Sequence, residues 1–312
     1  LNSKPLLSII MPMYNRESLV IETLNSIKNQ SFKNWECLII DDHSEDRSYG
    51  LVEKWIERDN RFLIFSRPDS RKKGANSCRN FGIEISSGRF IHFFDSDDLA
   101  DPDCFKIALD AIQSNSYDYC RFGREIFYKT PNFSLDTSGT IINQLSRNTY
   151  EDMITYKIVF NTCNVIWLKS SLGEERFNED IVFGDEWEFY GRLLLKSLHG
   201  INIEKTLFYG RKHKNSTTFE YLNQNRERLK SKVIASLSLI DTIPIKLYTK
   251  NIAEYFNSLA FQLNSPLVLK ANFKKSNFSF FRKKAYLLIM YTNPLSRPLL
   301  VIKGKILKKL KS

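Results

Sequence analysis

Across the first hundred positions, short apolar runs alternate with stretches whose apolar residues recur at helical spacing. The first run spans 6–11 and ends at Pro12; Val20, Leu24 and Ile27 then follow at helical spacing, flanked by Ile21. A second run spans 37–40, a helix through Leu51, Val52, Trp55 and Ile56 comes next, and 62–65 reads as a third strand. Residues 74–85 form the next candidate helix and 90–94 the next strand. This rhythm predicts an α/β fold, a mostly parallel sheet with right-handed crossovers. Beyond Asp101 the pattern loosens into a helix over 103–112, a strand over 117–122, a loop over 128–140 and a strand over 161–167. An amphipathic helix over 185–198 carries Trp187, Tyr190, Leu194 and Leu198, and a short run follows at 206–209. From about Asn225 the pattern is helical, with candidates at 232–239 and 255–263.

The chain has 312 residues, room for one large domain or two small ones, and its 42% hydrophobic content supports a real core. Five cysteines (Cys37, Cys78, Cys104, Cys120 and Cys163) include no CxxC pair. That argues against a disulfide framework or a zinc cluster and fits a reducing compartment. Strand-like sequence begins within the first ten residues, and no stretch of 18 uncharged apolar residues occurs, so neither a signal peptide nor a spanning helix is expected.

The net charge of +11 is unevenly placed. Residues 226–312 hold 18 of the 46 Lys and Arg but only 3 of the 35 acids, leaving 28 basic against 32 acidic residues, a net of −4, in the part before them. Lys270, Lys274, Lys275, Arg282, Lys283 and Lys284 flank apolar patches such as 286–290, and 299–310 alternates apolar residues with lysines. An anionic membrane surface suits that composition. A solvated tail, or a helical appendage packed on the rest of the chain, is the other reading. No nucleic-acid reader module is visible, so no nucleic-acid partner is expected.

Two of the runs empty into acids: 37–40 into Asp41 and Asp42, and 90–94 into Asp95, Asp97 and Asp98. Buried strands that end this way bring carboxylates to the C-terminal edge of a sheet, where open α/β folds bind ligands. On an extended segment Asp95 and Asp97 face one ion, and hard oxygens suit Mn2+ or Mg2+. An acidic turn capping the next helix is the plainer alternative.

With these residues in view, the chain strongly resembles the family 2 glycosyltransferases, an inverting group built on the GT-A nucleotide-sugar fold. The resemblance starts with Ser8-Ile9-Ile10-Met11-Pro12-Met13-Tyr14-Asn15 and continues with Leu38-Ile39-Ile40-Asp41-Asp42-His43-Ser44. Residues 73–82 resemble the family's Gly-Ala-x-x-Ala-Arg-Asn-x-Gly element, and Asp95-Ser96-Asp97 matches its Asp-x-Asp motif. Gly184-Asp185-Glu186-Trp187-Glu188-Phe189 resembles its base motif, normally Glu then Asp and here reversed. The segment 211–216 resembles a late Arg-x-His-x-x-Ser element, and together the matches span roughly residues 6–220.

The resemblance implies a role for each matching residue. Pro12, Tyr14, Asn15 and Asp42 would hold nucleobase and ribose, with Glu17 near the ribose or capping a helix. Asn76, Arg79 and Ser96 would line the donor, Arg79 approaching the diphosphate or bracing the acids. Asp97 is the expected metal ligand, Asp95 a ribose or second metal contact, and Arg211 and His213 the diphosphate partners, His213 also reaching the metal. Glu186 is the expected base and Asp185 its alternate, with Glu179 and Asp180 weaker ones; Trp187 would stack on an acceptor sugar.

The resemblance further implies a catalytic domain over 1–222, with a nucleotide-binding half at 1–100 and an acceptor-binding half at 101–222, followed by a basic helical extension over 223–312. The implied activity is metal-dependent inverting transfer from a nucleotide-sugar donor, UDP-linked, to a saccharide acceptor. Family habit and the basic tail together suggest a lipid-linked acceptor at the cytoplasmic membrane face, in polysaccharide assembly such as capsule or O-antigen. The competing readings are a non-catalytic nucleotide-sugar or glycan-binding protein and a nucleotidyltransferase.

Overall fold

Strand β1 (Leu7–Met13) is buried along its whole length and pairs in parallel with β2 (Trp35–Asp41) on one side and β4 (Phe90–Phe93) on the other. β3 (Phe62–Ser66) extends the parallel set beyond β2. The helices α1 (Val20–Lys28), α2 (Ser48–Ile56) and α3 (Ala75–Ile85) make the crossovers, as the apolar spacing predicts. In this computed structural model the described residues are 4–292, apart from 115, 132–141, 147, 213–220, 222 and 224. The expected loop over 128–140 therefore lies mostly outside the described residues.

Pro12 does not end β1. Ile10 offers its carbonyl to Phe94 on the β4 side and Met13 offers its own to Asp42 on the β2 side. Residue 12 therefore faces β4, whose pairing with β1 stops at Ile10. No ladder donor is lost there, and proline is tolerated.

The second half departs from the parallel expectation. It comprises β5 (Leu99–Ala100), α4 (Cys104–Ser114), β6 (Tyr119–Phe127), β7 (Ile142–Leu145), α5 (Thr149–Ile154), β8 (Val165–Leu168), α6 (Lys169–Leu172), α7 (Asp185–Leu194) and β9 (Gly200–Arg211). The sheet order is β3-β2-β1-β4-β8-β6-β9-β5, with β7 pairing β9. β8 runs antiparallel to both β4 and β6, and β9 runs parallel to β6 but antiparallel to β5 and β7. The sheet is thus mixed, because an apolar run encodes burial but not direction.

After β9 come α8 (Arg226–Thr242), a 3-10 turn at Ile245–Leu247, α9 (Lys250–Gln262), α10 (Pro266–Lys275) and α11 (Phe280–Thr292). Ala235, Leu239, Phe256, Val268, Phe273 and Met290 from these helices share one apolar cluster with Ile10, Phe93, Trp167 and Tyr190. The helices of the basic region therefore cover one face of the sheet, while α1, α2 and α4 help bury the other. The outward side of α11 leaves Phe280, Phe281, Leu288 and Tyr291 between 59% and 83% exposed. No helix among the described residues is long and apolar enough to cross a membrane. All five cysteines are buried and unpaired.

Candidate active site

The ends of β1 and β2 are tied into one rigid rim. Asn15 adopts a positive φ of 51°, with its N–H donating to Ser44 Oγ at 3.0 Å and its Oδ1 accepting from the Glu45 N–H at 2.8 Å. Asp41 accepts from both the N–H and the hydroxyl of Ser44 (2.9 and 2.6 Å). Asp42 is buried and accepts from Arg67 Nε at 2.5 Å, so part of its carboxylate is committed to a cation. Tyr14 remains accessible: Lys73 donates to its hydroxyl at 2.9 Å and lies 4.1 Å from its ring centre. Glu17 lies before α1 and holds Arg47, the residue preceding α2, through that residue's N–H and Nε at 3.2 and 3.0 Å. It serves the neighbouring helix start rather than the first turn of its own. Pro12 is enclosed within β1.

Arg79, on α3, is the centre of the site. Its Nη1 donates to Asp185 Oδ2 (2.8 Å) and Asn76 Oδ1 (2.9 Å), and its Nη2 donates to Asp95 Oδ1 (3.0 Å). Burial opposes its charge, but Asp95 and Asp185 outweigh burial and hold the guanidinium protonated. Of the two roles expected of Arg79, the structure shows the brace. Asn76 Nδ2 donates to the carbonyls of Asn178 and Ile181 (3.1 and 2.6 Å) and its oxygen accepts from Arg79, which anchors the 178–181 segment to the site.

Asp95 and Asp97 do not lie on an extended segment. β4 ends at Phe93, and the Asp98 N–H closes a turn onto the Asp95 carbonyl at 3.2 Å. Asp95, with a side chain 39% exposed, faces Arg79, whereas Asp97 Oδ2 lies 3.4 Å from Arg16 Nε. Ser96 between them is buried. Asp98, to which the sequence patterns assign no role, is the structural acid of the three. It accepts from the Arg211 N–H at 2.7 Å and lies 3.6 Å from Arg124, fastening the acidic turn to β9. Burial, with Asp95 and Asp97 nearby, pushes its carboxyl up. Arg211 Nε donates to the Asp97 carbonyl (2.9 Å) and its Nη2 to Glu22 (2.6 Å), contacts that shape the acidic turn. His213 lies outside the described residues.

On the opposite wall α7 starts at Gly184, whose φ is +77°. Asp185 is held by Arg79, and Glu186 follows it. Burial and the neighbouring Asp185 raise the Glu186 carboxyl to about 8, against the opposing charge of Lys232. The sequence patterns did not single out Lys232, although it shares the spacing of the buried residues Ala235, Ser236 and Leu239 on α8.

Trp187 is a correction. It is 2% exposed, donates from Nε1 to the Ile154 carbonyl at 3.1 Å and stacks at 15° on Tyr156, so no face is open to a sugar. Tyr156, 41% exposed, is the accessible aromatic beside the acids. Glu179 is occupied by Arg71 (2.9 Å) and Asn80 (3.0 Å), and Asp180 by Lys72.

One ligand atom from each of Asp95, Asp98 and Cys163 lies within 4.8 Å of the others. Burial raises the Cys163 thiol well above its usual range and keeps it protonated, which suits it poorly as a ligand for a hard cation. With Asp98 already latched to Arg211 and Arg124, the carboxylates at the rim, Asp95 and Asp97, are the oxygen donors that fit a divalent ion such as Mn2+ or Mg2+.

A family profile described as glycosyl transferase family 2 matches residues 8–176. A Campylobacter jejuni protein described as GalNAc(5)-diNAcBac-PP-undecaprenol beta-1,3-glucosyltransferase is 32% identical over 189 residues, which is 60% of this chain and 57% of that protein. Two other curated relatives are matched over 30% and 44% of their own length, so the chain spans well under two thirds of these relatives. Among solved structures, S. aureus TarS 1-349 with UDP-GlcNAc aligns with a TM-score of 0.59 at 15% identity, over 93% of this chain and 89% of that one. The mannosyltransferase PcManGT from Pyrobaculum calidifontis, with GDP-Man and Mn2+, aligns with a TM-score of 0.58 at 15% identity, over 98% of this chain and 81% of that one. These two share the GT-A fold with this chain. The profile covers more than half of the chain, including β1, Arg79 and the acids at the sheet edge, and the chain belongs to glycosyl transferase family 2.

Proposed function

We propose that the protein is a metal-dependent inverting glycosyltransferase that moves a sugar from a nucleotide-sugar donor, UDP-linked, to a lipid-linked saccharide in cell-surface polysaccharide assembly. The observation that carries this reading is the Arg79 bridge, which holds a donor-side acid, Asp95, and a base-side acid, Asp185, on one guanidinium. The UDP-GlcNAc in the TarS structure supports a nucleotide-sugar donor, while the GDP-Man of the mannosyltransferase keeps guanine in the test. The undecaprenol in the name of the Campylobacter relative supports a lipid-linked acceptor.

An inverting transfer is a single displacement. Glu186, as carboxylate, takes the proton of the acceptor hydroxyl while that oxygen bonds to the anomeric carbon and the bond to the diphosphate breaks. Asp185, tied to Arg79, orients the start of α7. Asp97 and Asp95 would hold Mn2+ or Mg2+, which when bound supplies positive charge to the leaving diphosphate. Tyr14 and Asn15 frame the nucleoside side, and Tyr156 replaces Trp187 as the aromatic surface for the acceptor. In this organisation residues 1–222 carry the donor and acceptor chemistry. The 223–312 region lends α11 to an anionic bilayer at the cytoplasmic face.

Incubating the protein with UDP- and GDP-sugars, with and without Mn2+ or Mg2+, and measuring nucleoside diphosphate release tests the reading. Release that depends on the metal and on one donor is expected. Nucleotide binding without release would favour a non-catalytic binding protein, and pyrophosphate release from a nucleoside triphosphate would favour a nucleotidyltransferase.

A further inference from the structure

Each of the three acids in the turn after β4 faces an arginine. Arg79 donates to Asp95 at 3.0 Å, Arg124 lies 3.6 Å from Asp98, and Arg16 Nε lies 3.4 Å from Asp97 Oδ2. The chain thus supplies one cation for each carboxylate of the turn. The three pairs are not equivalent. Arg79 spreads its fork over Asp185, Asn76 and Asp95, and Arg124 sits against the deeply buried Asp98. Arg16 is the most exposed of the three guanidiniums, 31% against 7% and 18%. Its contact with Asp97 is an ion pair without the alignment of a hydrogen bond.

Arg16 is anchored from behind. Its N–H donates to Ser48 Oγ at 2.6 Å, and that hydroxyl is itself held by Asp46. Its Nη1 donates to the carbonyls of Tyr14 and Asn15 at 3.1 and 3.0 Å. These bonds set the guanidinium between the nucleoside side of the rim and the Asp97 carboxylate. Its Nε is buried and makes no hydrogen bond among the described residues. A buried guanidinium N–H without an acceptor is costly and marks a place where a partner belongs. Arg211 meanwhile fixes the main chain of Asp97, donating to its carbonyl at 2.9 Å. The oxygen that would complete Arg16 Nε is one brought in beside Asp97, and a phosphate oxygen has the charge and geometry for a guanidinium.

We propose that Arg16 is a donor-binding residue that Asp97 holds until the nucleotide arrives: Arg16 neutralises Asp97 in the free protein and turns to the donor's diphosphate when Asp97 is engaged by the divalent ion. The inference rests on the reading of Asp97 as a metal ligand given above. A divalent ion and a guanidinium on one carboxylate repel each other, and the negative charge of a diphosphate relieves that repulsion. Metal and nucleotide are therefore expected to bind together far better than the metal binds alone.

The test measures binding in the full chain and needs no turnover. Mn2+ binding without nucleotide is followed by loss of the free-ion EPR signal, and UDP binding in EDTA by calorimetry, in wild type, Arg16→Gln and Arg16→Lys. Removing the charge unmasks Asp97, so Arg16→Gln should bind Mn2+ roughly tenfold more tightly, while its metal-free affinity for UDP falls by a similar factor. Arg16→Lys keeps the charge but not the bonds to the Tyr14 and Asn15 carbonyls, and should stay near wild type in the Mn2+ measurement. A purely structural role cannot move the two affinities in opposite directions, because a damaged rim weakens both. In an Asp97→Ala background the Arg16→Gln change should leave Mn2+ binding unmoved. Mn2+ binding by Arg16→Gln no tighter than by wild type overturns the proposal, as does a tightening that persists without Asp97 or a lysine variant that behaves like the glutamine one. If wild type binds neither UDP nor GDP, with or without metal, the donor reading fails, and the Mn2+ comparison still decides whether Arg16 holds Asp97.

Discussion

Arg79 Nη1 donates to Asp185 Oδ2 at 2.8 Å, which divides the labour between the two adjacent acids at the start of α7. Asp185 is the partner of a buried cation, which leaves Glu186 as the proposed proton acceptor. Glu186→Gln should therefore lower kcat by about 10²–10⁴-fold with donor affinity preserved. Asp185→Asn should weaken both, because Arg79 also holds the donor-side Asp95. Steady-state kinetics of the two variants decide the assignment; a larger, purely kcat loss in Asp185→Asn would move the base to residue 185.

Arg79→Met should be among the most destabilising single changes in the chain. It leaves two carboxylates without their guanidinium, and losing one partner of a buried ion pair costs about 3–5 kcal/mol. The exposure of Asp95 places the value near the lower end. Lysine should not rescue it, since one ammonium cannot reproduce the fork to Asp185, Asn76 and Asp95. Urea unfolding measures both variants.

Asp97→Ala should abolish the metal dependence of donor binding and leave the melting temperature within a few degrees of wild type, since residue 97 lies at the rim and not in the core. Calorimetric titration of UDP with and without Mn2+ checks this. Metal-dependent affinity that persists in the variant would remove Asp97 from the ligand set.

His92 predicts an acid-sensitive fold. Its ring is fully buried among Phe94, Phe105, Phe122 and Phe208, and burial lowers its pKa from 6.5 to about 4. Between those values the unfolded chain takes up a proton that the folded chain refuses. Stability should thus fall as pH drops from 6.5 towards 4, by about 1.4 kcal/mol per unit once well below the unfolded value. In His92→Leu this contribution should vanish; an identical pH slope in denaturation of the two proteins would contradict it.

α11 should bind anionic membranes. Phe281, Lys284 and Leu288 share its outward side, and each lysine or arginine near such a surface contributes about 1 kcal/mol, screened beyond roughly 8–10 Å. Co-sedimentation with vesicles containing phosphatidylglycerol, weakened by high salt and by a Phe281→Ser, Lys284→Glu pair, is the expected result; equal binding to neutral vesicles would exclude the electrostatic part. Point changes are preferable to truncation, because Val268, Leu269 and Phe273 are part of the shared core.

Much of the first half was legible because β1, β2 and β4 are buried almost throughout and acids directly follow β2 and β4, as at 90–98. The second half was less so. β5 is two residues long and β7 is largely exposed, so neither carries a burial pattern, and β8 gives no sign of its reversed direction. Trp187 was misassigned although its own spacing with Tyr190 and Leu194 places it on the apolar side of α7. Lys232 was passed over because charge normally marks a solvated face. Its approach to residue 184 spans 48 positions of sequence and arises only in the folded chain.

The left-handed Gly184 joins two positions into one unit of variation. A side chain at 184 would strain the backbone and press on the lysine ammonium, while a shorter residue at 232 would leave a void beneath the helix start. Neither position is free to drift alone. Exchanges at 184 and 232 are expected to occur as linked double replacements, and a chimera that takes α7 from one relative and α8 from another should lose transfer even where each helix packs well by itself.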